Sequence, residues 1–78
     1  MKLPRDIDGI VLANKLKKLG YIITRQTGSH LRLTTENGEH HVTIPMHSPL
    51  KVGTFSAIIS EVSSHLKISK DALIQKLF

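Results

Sequence analysis

Three short segments, Tyr21 to Gln26, His30 to Thr35 and His40 to Pro45, are each rich in β-branched or alternating residues and separated by turn-forming stretches; they constrain this chain more than any other feature. In the second, Leu31 and Leu33 alternate with His30, Arg32 and Thr34, and in the third Val42 and Ile44 alternate with His41 and Thr43. Successive strand side chains point to opposite faces, so a sheet built from these segments has one apolar face and one polar face. The connections Thr27-Gly28-Ser29 and Glu36-Asn37-Gly38-Glu39 are short enough to make sequential strands neighbours, and Asn37-Gly38 suits the positive φ angles of a type I′ hairpin. An antiparallel meander follows, and its apolar face has to be covered.

The flanks supply the cover. Leu12, Leu16 and Leu19 fall at i, i+4 and i+7, Asp8 precedes them as an N-cap and Gly20 follows, predicting a helix over about residues 9 to 19. Met46 to Gly53 reads as a loop, broken by Pro49 and Gly53. A second helix is expected to start near Val52 to Thr54, with Phe55, Ile58, Ile59 and Val62 as its apolar stripe. Ser63-Ser64-His65 reads as a break, after which Ser69 caps a third helix ending at Phe78, with Ile68 and Leu73 as its hydrophobic staple. The expected fold is therefore α+β, a two-layer sandwich in the order α-β-β-β-α-α, with a three-stranded antiparallel sheet carrying its helices on one face.

At 78 residues folding hides only roughly 60 to 65 % of the unfolded surface, so the expectation is one domain over residues 1–78 with a thin core. There is no cysteine to make a disulfide or a thiolate metal site, and packing alone must hold the fold. No run approaches the roughly 20 apolar residues that cross a bilayer, so a soluble, cytoplasmic protein with no membrane association is expected. The formal charge of +5 lies wholly in residues 1–34, where Lys2, Arg5, Lys15, Lys17, Lys18, Arg25 and Arg32 face only Asp6 and Asp8. A field so placed attracts polyanions, which points to nucleic acid or an acidic protein as partner.

Five histidines raise the question of a metal. His40 and His41 are adjacent in a strand and point apart, and no pair has the helical i, i+4 spacing, so no metal site and no cofactor are expected. His30 has a different setting, because the turn in Arg25-Gln26-Thr27-Gly28-Ser29-His30 delivers its imidazole onto the polar sheet face. A two-residue Thr27-Gly28 loop would place Arg25 across from it, and a three-residue loop Gln26; either could bind phosphate. A free imidazole titrates near pH 6.5, so it can take a proton from an RNA 2′-hydroxyl at neutral pH and return it. Arg32 shares the face of His30 by alternation and is placed to contact phosphate, while Lys17 and Lys18 could widen the basic track.

Four blocks, Lys17-Lys18-Leu19-Gly20-Tyr21, Arg25-Gln26-Thr27-Gly28-Ser29-His30, Val42-Thr43-Ile44-Pro45-Met46-His47 and Leu50-Lys51-Val52-Gly53-Thr54, resemble in order and spacing those of the HicA (YcfA-like) toxins, over roughly residues 3 to 62. The resemblance implies a double-stranded-RNA-binding-domain-like fold and a toxin that cleaves mRNA; with an imidazole to move the proton, such cleavage is expected to be metal-independent. It also implies that a HicB-type antitoxin holds the toxin inactive in a hetero-oligomer. It makes His30 the catalytic residue, with Gly28 and Ser29 shaping the turn, Arg25 and Gln26 flanking it, and His47 on a loop near the same face. A non-catalytic RNA-binding or adaptor domain of the same fold is the alternative. Two features depart from the family pattern. The helix after Gly53-Thr54 reads Phe55-Ser56-Ala57-Ile58-Ile59-Ser60-Glu61, without the basic residues common there, which argues against RNA binding by that helix. Residues 63–78 also lack a short glycine-containing break.

Overall fold

The computed structural model of the chain describes residues 4–78. Helix α1 (Gly9–Leu16) runs into a single 3-10 turn at Lys17–Leu19 and stops at Gly20, whose φ of 90° is left-handed. Strands β1 (Tyr21–Thr27), β2 (His30–Thr35) and β3 (His41–Pro45) follow, then helices α2 (Val52–Leu66) and α3 (Lys70–Leu77). The sheet is antiparallel in the order β1-β2-β3, and the extents of 32 × 28 × 17 Å fit two layers. The α-β-β-β-α-α order and the meander are those expected from the alternation and the helical stripes.

One face of the sheet is buried. Tyr21, Leu31, Leu33, Val42 and Ile44 meet Leu12, Ala13 and Leu16 of α1, Phe55, Ile59 and Val62 of α2, and Leu73 and Leu77 of α3. Removing such side chains from water is the main term that holds a small cysteine-free fold together, at roughly 25 cal/mol per Å² of apolar surface. A Cβ on Gly9 would overlap the Pro45 carbonyl oxygen, so this glycine lets α1 approach the end of β3, and its N–H donates to the His47 carbonyl at 3.0 Å.

Several local expectations are corrected. Asp8 stands at the N-cap, but its carboxylate does not cap the helix; it accepts a hydrogen bond from the Ser48 hydroxyl at 2.8 Å, tying the β3–α2 loop to the start of α1. The Asn37-Gly38 turn is not type I′, because only Gly38 has positive φ. The Gly38 N–H donates to the Thr35 carbonyl, and Asn37 Oδ1 accepts from Thr35 Oγ1 and the Glu39 N–H, so local side-chain bonds set the turn and delay β3 to His41. Ser63-Ser64-His65 is no break. Val62 and Ser63 are buried, Ser63 Oγ donates to the Ser60 carbonyl within the helix, and α2 ends only at Lys67, which takes the left-handed conformation (φ 57°) usually given to glycine. The Ser69 cap holds, its hydroxyl accepting from the Ala72 N–H at 3.0 Å.

Candidate functional site

Among the described residues no helix covers the polar face of the sheet, and His30, Arg32, His41 and Thr43 are exposed on it. Strict alternation along β1 would send Tyr21, Ile23, Arg25 and Thr27 to one side, and the first two face the core. The register shifts between Ile23 and Arg25: Ile23 pairs with Leu33, Arg25 with Arg32, and Thr24 is the extra residue of a β-bulge. The Thr24 hydroxyl bonds Thr34 Oγ1 at 2.9 Å and lies 3.3 Å from the Arg32 carbonyl, which fills the irregularity. Beyond the bulge the faces exchange, so Arg25 and Thr27 turn away from the core and join His30 and Arg32. Re-aiming side chains in this way is a common use of bulges.

The hairpin turn is Gly28-Ser29, with Thr27 paired to His30. Neither expected partner lies across from His30: Arg25 is opposite Arg32, and Gln26 is opposite Leu31 and so on the other face of the sheet. The turn begins one residue later than either loop reading places it, on Gly28-Ser29, and that alone sets Thr27 across from His30; the bulge decides only which face Arg25 takes. Arg25, Thr27, His30, Arg32 and Thr43 line a hollow of about 200 Å³. Thr43 belongs to it because β3 pairs Thr43 with Arg32, and His30 with Pro45.

His30 is exposed, and its Nδ1 lies 3.0 Å from Ser29 Oγ. With the Nδ1 proton donated to Ser29, the lone pair sits on Nε2, the arrangement a general base requires; the opposite tautomer would protonate Nε2 and remove it. The Ser29 carbonyl accepts from the Met46 N–H at 2.8 Å, so the turn is pinned to the end of β3. Gly28 is not left-handed, and a Cβ placed on it would meet nothing within 4 Å, so the turn itself does not demand a glycine. His47 is exposed on the following loop and lines neither of the hollows that contain His30; its carbonyl serves α1. Lys17 and Lys18 precede the start of β1, about 20 Å along that strand from the hairpin at about 3.3 Å per residue, and do not extend the hollow.

A second histidine group occupies the other end of β3. His40 Nδ1 lies 2.7 Å from the Tyr21 hydroxyl, and its ring stacks on His65 with centroids 4.5 Å apart and planes 8° from parallel. Burial holds the His40 pKa below its ordinary value and the neighbouring His65 adds to this, while burial and then the Glu61 carboxylate raise that of Tyr21. Both directions favour a neutral imidazole accepting from a protonated phenol. His41 points the other way, its Nδ1 2.8 Å from Thr34 Oγ1. Among the described residues no group of three or more His, Cys, Asp or Glu side chains is placed to hold a metal ion, and no helix is long and apolar enough to cross a membrane.

Three site features do not follow from the sequence alone. The bulge at Thr24 leaves only a faint signal, the parity conflict between apolar Ile23 and charged Arg25. Alternation with Val42 and Ile44 puts Thr43 on the polar face, but only the β2–β3 register, which pairs it with Arg32, brings it to the hollow. A third feature, a hollow formed by α2 across the edge of β3, has no local signal, because it depends on how the helix lies on the sheet.

The family model for the HicA toxin of bacterial toxin-antitoxin systems matches residues 12–68, from within α1 to the residue after the left-handed end of α2. No curated protein and no solved structure matches the chain. The matched span holds all three strands, the Gly28-Ser29-His30 turn and the whole of α2, and on that coverage the chain belongs to the HicA toxin family, the toxins of bacterial toxin–antitoxin systems.

Proposed function

We propose that this toxin is a metal-independent endoribonuclease that cleaves mRNA, with His30 as its catalytic residue. One observation carries the reading: an exposed imidazole, fixed by a pinned hairpin, shares a small hollow with two guanidinium groups on an uncovered sheet face. Arg25 and Arg32 suit the non-bridging oxygens of a phosphodiester, since planar guanidinium groups match phosphate geometry. His30 Nε2 takes the 2′-hydroxyl proton as the 2′-oxygen attacks the adjacent phosphorus. The phosphorus–O5′ bond breaks, leaving a 2′,3′-cyclic phosphate and a 5′-hydroxyl. The departing 5′-oxygen takes a proton from the imidazolium or from water, and the arginines stabilise the charge that builds on the phosphoryl oxygens.

Of the other expected substrate contacts, Gly28 and Ser29 act by presenting and orienting His30. Gln26 and His47 have no part in the phosphate hollow. A HicB-type antitoxin in the cytoplasm would neutralise the toxin by covering the basic sheet face with an acidic surface in a hetero-oligomer. A second reading, an RNA-binding domain without catalysis, draws on the phosphate hollow itself, which offers no carboxylate or second imidazole to complement His30.

The test is cleavage of an RNA by purified protein with and without EDTA, beside the His30→Ala variant. Cleavage that survives EDTA and disappears in a folded His30→Ala variant is expected. Undiminished cleavage by that variant would refute the assignment, and salt-sensitive RNA binding without cyclic-phosphate ends would favour the second reading.

A further inference from the structure

His30 lines two hollows, and they differ in charge. The first carries Arg25 and Arg32. The second, about 490 Å³, crosses the edge of β3 to α2 and contains Thr43, Pro45, Thr54, Ala57, Ile58 and Glu61, with no lysine or arginine in its lining. Its volume falls within the roughly 300 to 1,000 Å³ of small-molecule sites. A phosphate belongs in the first hollow and is repelled from the second by Glu61. A nucleobase has the complementary character, with apolar faces and a polar edge.

From this geometry we infer that the hollow between β3 and α2 is a nucleobase subsite beside the scissile phosphate, in which the Glu61 carboxylate reads guanine. The inference rests on the proposed role of His30 and adds a specificity-determining residue to it. Thr54, Ala57, Ile58 and Glu61 are spaced i, i+3, i+4 and i+7, so they form one stripe of α2; Ile58 is buried with Phe55, Ile59 and Val62 of the adjoining stripe and forms the floor of the hollow at its margin with the core. Pro45, Ala57 and Ile58 give an apolar surface for the ring, and the Thr43 and Thr54 hydroxyls give polar contacts at the rim. Glu61 is exposed, and it also lines the neighbouring hollow with His40, His41, Ser60, Ser64 and His65, so its carboxylate stands where the two meet.

An ionised carboxylate only accepts hydrogen bonds. Guanine alone among the four bases offers two adjacent N–H donors, N1–H and N2–H, on its Watson–Crick edge, one for each carboxylate oxygen. Adenine and cytosine place a ring-nitrogen acceptor beside their amine, and uracil has one N–H between two carbonyls, so each sets a lone pair against the second oxygen. Discrimination of roughly tenfold to a hundredfold is expected from a bidentate contact of this kind. The absence of cations along Phe55 to Glu61, which argues against phosphate binding by this helix, is what a base-binding wall requires.

Two readouts test the subsite. Sequencing the 5′-hydroxyl ends released from a random RNA pool should show guanine enriched at one position beside the cut, and Glu61→Gln and Glu61→Ala should lose that enrichment. Equal enrichment in these variants, or none in the unaltered protein, overturns the inference. The second readout needs no cleavage. In the His30→Ala protein, guanosine 3′-monophosphate should shift the backbone amide resonances of Ala57, Ile58 and Glu61 and bind at least about tenfold tighter than the uridine nucleotide. Equal binding of the two nucleotides, or shifts unchanged by Glu61→Gln, would overturn it. Cleavage persisting in His30→Ala would instead overturn the catalytic role of His30, a distinguishable failure, and the nucleotide binding would still decide the subsite.

Discussion

His30 and His40 lie at opposite ends of the β2–β3 hairpin and show how one side-chain type is put to two uses. His40 faces the buried Tyr21 hydroxyl, lies flat against His65 and is held neutral, so its ring completes a packing and hydrogen-bonding unit. His30 is exposed, bonds through Nδ1 to Ser29 Oγ, and shares a hollow with Arg32 of its own strand and Arg25 of β1. A histidine whose hydrogen-bonding capacity is absorbed by the core stabilises the fold. One held by the backbone with Nε2 left to solvent is available for chemistry.

The sharpest way to break this comparison is to exchange the phenotypes. His30→Ala is expected to lower RNA cleavage by roughly a hundredfold to ten-thousandfold, the usual range for a general base, with the thermal midpoint little changed. His40→Ala should do the reverse, lowering the midpoint while cleavage persists below it. Paired melting curves and cleavage rates check both, and an unstable His30→Ala protein or an inactive, stable His40→Ala protein would remove the distinction.

Smaller effects sharpen it. Tyr21→Phe strips His40 of its partner and should cost about 1 kcal/mol. For a domain of this size that is a fall of roughly 4 to 8 °C in the melting midpoint. The pH dependence carries a sign. Because the folded His40 pKa lies below the ordinary 6.5, the unfolded chain takes up a proton there first as the pH falls. The stability associated with neutral His40 is therefore present above about pH 6.5 and is lost as the pH falls through the lower folded value. Denaturant unfolding at pH 7.5 and pH 5 should show the loss in the unaltered protein and less of it in His40→Ala. A loss of equal size in both would exclude His40 as its source. Tyr21 and His65 contact His40, and the charges of Glu61 and His41 also act on it, so the double variant His40→Ala with His65→Ala separates the stacked partner's share.

The smallest effect expected lies at the end of α2. Lys67 holds a left-handed conformation, and Lys67→Gly should stabilise the protein by about 0.5 to 1 kcal/mol by relieving it. A destabilised variant in equilibrium unfolding would show that the lysine side chain contributes more than the backbone strain costs.

The parts of this fold that local pattern decides were legible in the sequence. Leu31, Leu33, Val42 and Ile44 announce a one-sided sheet, and the Phe55 to Val62 stripe announces the helix that covers it. Ser69 announces the last helix. What was not legible depends on contacts distant in the chain. Serines at 63 and 64 read as a break until burial of Val62 and Ser63 keeps the helix going, and Lys67 shows that packing can force a glycine's conformation on another residue. At the site, His30 and Arg32 follow from alternation and Arg25 from its nearness to the turn. Gln26 would lie across from His30 on a three-residue turn, but the Gly28-Ser29 turn pairs it with Leu31 on the core face, and a single extra residue, Thr24, is what turns Arg25 to the polar face. Glu61 lies 31 residues from His30 in the sequence and joins its surroundings only through the placement of α2 along β3.

The proposed chemistry turns on a proton leaving a ribose 2′-hydroxyl, so the most direct measurement is the fate of a DNA strand carrying one ribonucleotide at a mapped cleavage position. The account predicts a cut at that nucleotide alone, leaving a 2′,3′-cyclic phosphate, and none when its 2′-hydroxyl is methylated. Cleavage of the methylated strand, or a product ending in a 5′-phosphate, would contradict it.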